Sequence, residues 1–316
     1  TGIYLDKSLN IYVSDGGGSF TKNERVLKLN YSNGSYSSES VVAGGNNNGL
    51  GLNQLFNPTS INIDQEDNIY VLDSWNNRVM KWKLGDLEGS VVAGGNNSGS
   101  ALNQFREPFG MSFDNLGNLY IADTGNNRIV KWEPGGSEGI VVAGGNGFGS
   151  ALNQLYNPHD VILDDFGNLY IADTGNHRVV KWNLNSKEGV LVAGGNGNGN
   201  NENQFSYPYS ISFDKYNNIL ILDRDNARVQ KFTIYPEITI LAGTKTGSVT
   251  FSGIDDDLND EEDETIIITP GESTNSINTF TDPVTIILLN NSIKITSKVT
   301  STFCDGSDGT GAINIE

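Results

Sequence analysis

Residues 153–195 read NQLYNPHDVILDDFGNLYIADTGNHRVVKWNLNSKEGVLVAGG, and residues 103–145 read NQFREPFGMSFDNLGNLYIADTGNNRIVKWEPGGSEGIVVAGG. The two are near-copies, and the copying extends in both directions. Asp73, Asp123, Asp173 and Asp223 fall 50 residues apart, as do Pro58, Pro108, Pro158 and Pro208, and Arg78, Arg128, Arg178 and Arg228. A further unit precedes them, with Asp15 and Arg25 and 8 extra residues before Asp73. A fixed register over this many units is the mark of a repeat architecture, in which each unit is one supersecondary element stacked on its neighbours.

Each unit holds four short runs rich in Val, Ile, Leu, Tyr and Trp, bounded by Gly, Asn, Asp and Pro. In the fourth unit they are HDVILD, NLYIAD, RVVKW and GVLVAG. Such runs read as strands separated by turns. The second run is apolar at nearly every position, as a strand packed on both faces requires. The D-x-x-G-N strings, Asp114 to Asn118 and Asp164 to Asn168, suit tight turns because Gly and Asn tolerate positive φ. No apolar period of 3.6 residues is present, so helices are minor. The fold class is therefore all-β: a β-propeller of four-stranded antiparallel blades, five of them visible.

The strings GNLYIADTGNNRIVKW and GNLYIADTGNHRVVKW resemble NHL repeats, and the likeness runs over residues 1–243. Kelch repeats share the period but carry their glycine pair after the second strand, whereas Gly94-Gly95 and Gly144-Gly145 follow the fourth. The NHL resemblance implies six blades in the full ring, so at least one blade, or the closing strand, is expected upstream of Thr1. An open ring would carry an exposed edge.

Beyond Gly243 the composition changes. Residues 244–292, with DDDLNDEEDE followed by TIIITP, resemble the second half of a Calx-beta domain, a small β-sandwich-like remnant. Residues 293–316, ending VTSTFCDGSDGTGAINIE, resemble the start of a SprB-type repeat. Together the resemblances imply an exported, Bacteroidetes-like surface protein, secreted or held at the cell surface.

Charge narrows the partners. Lys and Arg number 20 against 38 Asp and Glu, a net of -18, and 13 of those acids against 3 bases lie from Thr244 onward. No basic stripe is left to neutralise phosphates, which argues against nucleic acid and against an intracellular RNA-binding scaffold. Cys304 is the single cysteine, so no internal disulfide forms, which is neutral on compartment. No apolar run approaches a membrane span.

Residues common to all blades are expected to serve what every blade needs. The Asp123/Arg128 type of pair is read as structural, the Asp accepting turn N–H bonds and the Arg bridging neighbours. Trp82, Trp132, Trp182 and Phe232 are packing residues. Pairs such as Asn103-Gln104 are expected to tie the long loop to the adjacent blade. His177 replaces Asn127 in its turn and is read as a turn residue.

Function is expected where the blades differ. After each lead-in proline come Thr59-Ser60, Phe109-Gly110, His159-Asp160 and Tyr209-Ser210, at the start of the innermost strand. Thr59, Phe109, His159, Asp160 and Tyr209 should therefore ring one mouth of the central channel. They either hold a small polar or sugar-like ligand or pack as a plug. The resulting reading is a non-catalytic binding or adhesion module for a protein or carbohydrate ligand. The alternative is a metal-dependent propeller lyase or lactonase, which needs three converging protein ligands, and His159 alone does not supply a His-rich zinc site. Cys304 has no histidine partner and is not read as a nucleophile. Strings such as GGNGFG precede no helix and are not phosphate loops. Asp255, Asp256, Asp257, Glu261 and Asp263 form the one cluster with calcium logic, since hard Ca²⁺ takes several carboxylate oxygens.

Overall fold

The computed structural model describes residues 2–16, 23–183 and 185–233, together with three strands within 264–295. The chain divides into two compact units, Thr1–Thr233 and Ile234–Glu316.

The first unit is a propeller whose blades follow one another in sequence. Blade one comprises β1 (Ile3–Leu5), β2 (Ile11–Asp15), β3 (Arg25–Ser32) and β4 (Ser35–Gly44). Blade two comprises β5 (Pro58–Ile63), β6 (Ile69–Asp73), β7 (Arg78–Trp82) and β8 (Ser90–Gly94). Blade three runs through β9 (Met111–Phe113), β10 (Leu119–Asp123), β11 (Arg128–Trp132) and β12 (Ile140–Gly144). Blade four is β13 (Pro158–Leu163), β14 (Leu169–Asp173), β15 (Arg178–Trp182) and β16 (Val190–Gly194). Blade five shows β17 (Pro208–Phe213), β18 (Ile219–Asp223) and β19 (Arg228–Phe232) among the described residues. Neighbouring strands are antiparallel throughout. The all-β, five-blade propeller expected from the repeat is the fold observed.

Local chemistry explains the elements. In the β9–β10 turn, Asp114 Oδ1 accepts hydrogen bonds from the N–H groups of Leu116 and Asn118, and Asn118 Nδ2 donates to Asp114 Oδ2. This Asx geometry replaces backbone bonds that the tight turn cannot make. After the second strand a single 3₁₀ turn, such as Thr124–Asn126, ends on a left-handed residue: Asn77 (φ 52°), Asn127 (φ 54°) or His177 (φ 54°). His177 is thus a turn residue, as its alignment with Asn127 suggested. Its Nδ1 accepts from Tyr207 N–H at 3.2 Å, so it serves as a neutral imidazole.

Packing between blades accounts for the apolar second strand. Leu119 and Ile121 of β10 point back to Leu72, Val79 and Ala93 of blade two, while Tyr120 and Ala122 point forward to Val161, Leu169 and Ile171 of blade four. One strand therefore serves two interfaces, and alternation between polar and apolar residues disappears. Trp82, Trp132 and Trp182 are all buried in these interfaces, each stacked into the cluster shared with the preceding blade.

Two sheet faces differ. Leu222 and Val229 of blade five are 39% and 62% exposed, whereas their counterparts Leu72 and Val79 are fully buried. Ile3 and Leu5 of blade one are likewise exposed, while their counterparts Ile61 and Ile63 are buried and half-buried. Blade one nonetheless has an inner strand of its own, since β1 pairs with β2 from Ile3↔Val13 to Leu5↔Ile11.

In the second unit, β20 (Glu264–Ile268), β21 (Val284–Leu289) and β22 (Ser292–Ile295) form a three-stranded antiparallel sheet in that order. Asp255, Asp256, Asp257, Glu261 and Asp263 lie outside the described residues, as do residues 234–243 at the end of the NHL-like stretch and residues 296–316 of the SprB-like one. No helix among the described residues is long and apolar enough to cross a membrane.

Candidate functional site

The shared residues form a latch on each connecting loop. Asp173 Oδ1 accepts from Tyr156 N–H at 2.7 Å, and Oδ2 accepts from Arg178 Nε at 2.7 Å and Asn176 Nδ2 at 2.8 Å. Arg178 then spends its Nη groups on the carbonyls of Ser150, Ala151 and Gln154. Asp173 is fully buried and Arg178 nearly so. The same pattern recurs at Asp73/Arg78, Asp123/Arg128 and Asp223/Arg228. These charges are consumed by the loop, as a structural reading of the pair requires. A cleft of about 430 Å³ lined by Ser100, Asn126, Arg128 and Asn146 is built from the same parts and belongs to the joint.

The glutamines do something other than expected. Gln104 Nε2 donates to Asn96 O at 2.7 Å, and Asn96 Nδ2 donates to Asn103 O. These amides close the loop on itself, and the link to the following blade is made by the arginine and by Asn126 Nδ2, which donates to Gly99 O. A side-chain amide reaches only about one loop width, whereas an arginine fork spans three carbonyls.

At the hub, a register shift decides which side chains project. Pro58 pairs with Asp73 and Ser60 with Leu72, leaving Thr59 as the extra residue of a bulge, and the same shift occurs at Pro158/Asp160 and Pro208/Ser210. A bulge re-aims the side chain of its unpaired residue. His159 and Tyr209 are those residues in blades four and five. Phe109 takes the equivalent place in blade three, where Phe109 N–H donates to Ala122 O.

Three of the five expected mouth residues converge as one aromatic cluster. Ring centroids are 4.9 Å apart for Phe109–His159, 4.8 Å for Phe109–Tyr209 and 4.5 Å for His159–Tyr209. These separations are those of attractive edge-to-face and tilted pairs. Burial lowers the His159 pKa, and its Nδ1 lies 3.0 Å from Asn157 O. In the neutral ring Nδ1 therefore carries the proton, and Nε2 presents a lone pair. Thr59 is attached at second hand: it is buried, and its Oγ1 donates to Phe109 O at 2.8 Å.

Asp160 turns away from the cluster to the joint between blades four and five. Its Oδ2 accepts from Ser210 Oγ at 2.8 Å and Ile211 N–H at 3.0 Å, and its Oδ1 accepts from Val161 N–H at 3.0 Å. Gly110 is required beside it, because a Cβ there would come within 2.5 Å of Asp160 Oδ1 and 2.6 Å of His159 O. Burial pushes the Asp160 carboxyl up to about 6 in spite of its three donors. The folded chain thus holds this proton more tightly than the unfolded one, whose carboxyl titrates near the ordinary ~3.9. The stability from this group is complete below about pH 4 and is lost as pH rises through about 6. The stability difference between the native chain and Asp160→Asn should therefore change by up to about 3 kcal/mol between pH 4 and pH 7, read by urea denaturation. A difference flat in pH would contradict this account of Asp160.

Sequence reasoning missed Arg224. Its guanidinium carbon lies 4.7 Å from the Tyr209 ring centroid and 5.3 Å from that of Tyr207, and its Nε donates to Asp225 Oδ1 at 2.7 Å. The signal was present, since the aligned positions hold Ser74, Thr124 and Thr174. Among the described residues, no three His, Cys, Asp or Glu side chains gather in a group that could hold a metal ion.

Comparison with known proteins matches these parts. The NHL repeat family model matches residues 105–132 and 155–182. No curated protein matches the chain. Among solved structures, an auxiliary nutrient binding protein from Bacteroides ovatus is similar at 17% identity and a TM-score of 0.53, over 73% of this chain and 58% of that one. A putative phosphatase from Bacteroides thetaiotaomicron is similar at 12% identity and a TM-score of 0.55, over 74% of this chain and 61% of that one. A streptogramin B lyase aligns at 15% identity and a TM-score of 0.46, over 73% of this chain and 64% of that one. The chain thus spans less than two thirds of the length of these structures, and at such identities the likeness is one of fold. It carries NHL repeats and folds as a five-blade β-propeller.

Proposed function

We propose that the propeller is a non-catalytic binding module of the cell exterior that takes its ligand, a carbohydrate or a protein segment, at the hub mouth. One observation carries this reading. The residues common to all blades are spent on loops and interfaces, while the residues that vary, Phe109, His159 and Tyr209, come together just after the lead-in prolines. Aromatic side chains with polar edges suit a ligand of mixed polar and apolar character. The fold shared with a nutrient binding protein of Bacteroides is in keeping with capture outside the cell. The lyase or lactonase alternative asks for three converging metal ligands, a group not found among the described residues.

A panel of immobilised glycans and peptides, screened by surface plasmon resonance, tests the proposal. The expected result is a ligand whose affinity falls at least about tenfold in Tyr209→Ala and in Phe109→Ala, with the melting temperature little changed. Binding that persists undiminished in both variants would place the site elsewhere.

A further inference from the structure

From the surroundings of Arg224 we infer that the hub mouth selects a carboxylate-bearing ligand, in chemical class a uronate saccharide. The inference rests on the hub reading above and adds the charge of the ligand to it.

The argument begins with what the fold asks of this position. Thr124 Oγ1 and Thr174 Oγ1 donate to Pro158 O and Pro208 O of the following blades, and Ser74 is buried. A small hydroxyl residue is enough. Blade five has an arginine instead, and its side chain is 45% exposed. There it pairs with Asp225 and lies over the Tyr207 and Tyr209 rings, contacts that no other blade makes at this position among the described residues.

Next comes how its donors are used. Arg78, Arg128, Arg178 and Arg228 commit both Nη groups to loop carbonyls. Arg224 commits its Nε to Asp225 and makes a further side-chain hydrogen bond with Tyr209, so fewer of its five N–H groups are spent. Stacking on Tyr209 holds the guanidinium plane in place, so less freedom is lost when it binds. The N–H groups left over on this planar fork can still meet a carboxylate.

The neighbours specify the rest of the ligand. His159 Nε2 is a hydrogen-bond acceptor once Nδ1 is committed to Asn157 O, and the Tyr209 hydroxyl, which accepts from Arg224, keeps its proton to donate. A carboxylate for Arg224, a hydroxyl proton for His159 and hydroxyls for Tyr209 are the groups a uronate sugar presents on one ring. The chain carries a net charge of -18, so its general field repels anions. A preference for an acidic ligand must therefore come from a local cation.

Titration calorimetry of the full chain with trigalacturonate and with its neutral, carboxyl-reduced counterpart, galactotriose, tests this. The native chain is expected to bind the uronate at least tenfold more tightly than the neutral sugar. Arg224→Gln should abolish the preference, and Arg224→Lys should restore part of it, because an ammonium keeps the charge without the fork. A preference that survives Arg224→Gln overturns the inference, as does failure of the native chain to bind trigalacturonate. If both sugars bind equally and Tyr209→Ala weakens both, the anion selection is wrong and the hub reading stands. If the uronate binds undiminished in Tyr209→Ala and Phe109→Ala, the hub reading itself fails.

Discussion

Asp173→Ala should cost the propeller about 3–5 kcal/mol, the penalty typical of removing one member of a buried ion pair. Arg178 would keep its charge in a site where it is almost wholly enclosed, and Tyr156 N–H and Asn176 Nδ2 would lose their acceptor together. The chain supplies its own control. In blade one the corresponding Arg25 and Asp15 side chains are 28% and 33% exposed and meet through a single 3.1 Å contact. Water screens that pair, so Asp15→Ala should cost no more than about 1 kcal/mol. Urea denaturation followed by far-ultraviolet circular dichroism measures both. Equal losses in the two variants would show that the latch does not work through burial.

The second large effect concerns the aromatic residue that closes the third strand of each blade. Trp132 is buried against blade two with Phe105 beside it, at 5.6 Å between ring centroids. Trp132→Ala removes its indole from that interface and should cost about 3–5 kcal/mol, transfer and cavity contributions together. Phe232 holds the same position in blade five, touches Phe205 at 5.7 Å and is only partly covered. Phe232→Ala should cost about 1–2 kcal/mol, since less apolar area returns to water. The ratio of the two losses is the quantity to measure. If Phe232→Ala proves as costly as Trp132→Ala, the loss does not scale with the area each ring buries.

The repeat made the architecture legible because its signals are local. A period of 50 residues, a second strand apolar on both faces and a turn built on Asp and Asn can each be read from neighbours in sequence. The hub could be found for a related reason: a position that varies within an otherwise fixed unit marks itself, as Phe109, His159 and Tyr209 did. The registers that aim those side chains were not legible. Whether a residue after a proline is paired or extra depends on how two strands slide, and Asp160, one residue further on, faces a joint instead of the mouth. Arg224 escaped because it lies in the Asp–Arg turn, whose shared residues drew the structural reading. The arginine there differs from its counterparts in size as well as charge, and alignment of the units shows it once the hub is known.

The latch has a further consequence for how such a chain lengthens and shortens. Each connecting loop is clamped by the arginine of the blade it leads into, so the parts that must fit are carried within one period. Loss or gain of a whole 50-residue period by unequal crossing-over rejoins a loop to an arginine that already fits it, whereas a break elsewhere in the period strands one of the two. Similar units such as residues 103–145 and 153–195 are the substrate for that exchange, and blade number is the trait in which relatives of this protein should differ most readily.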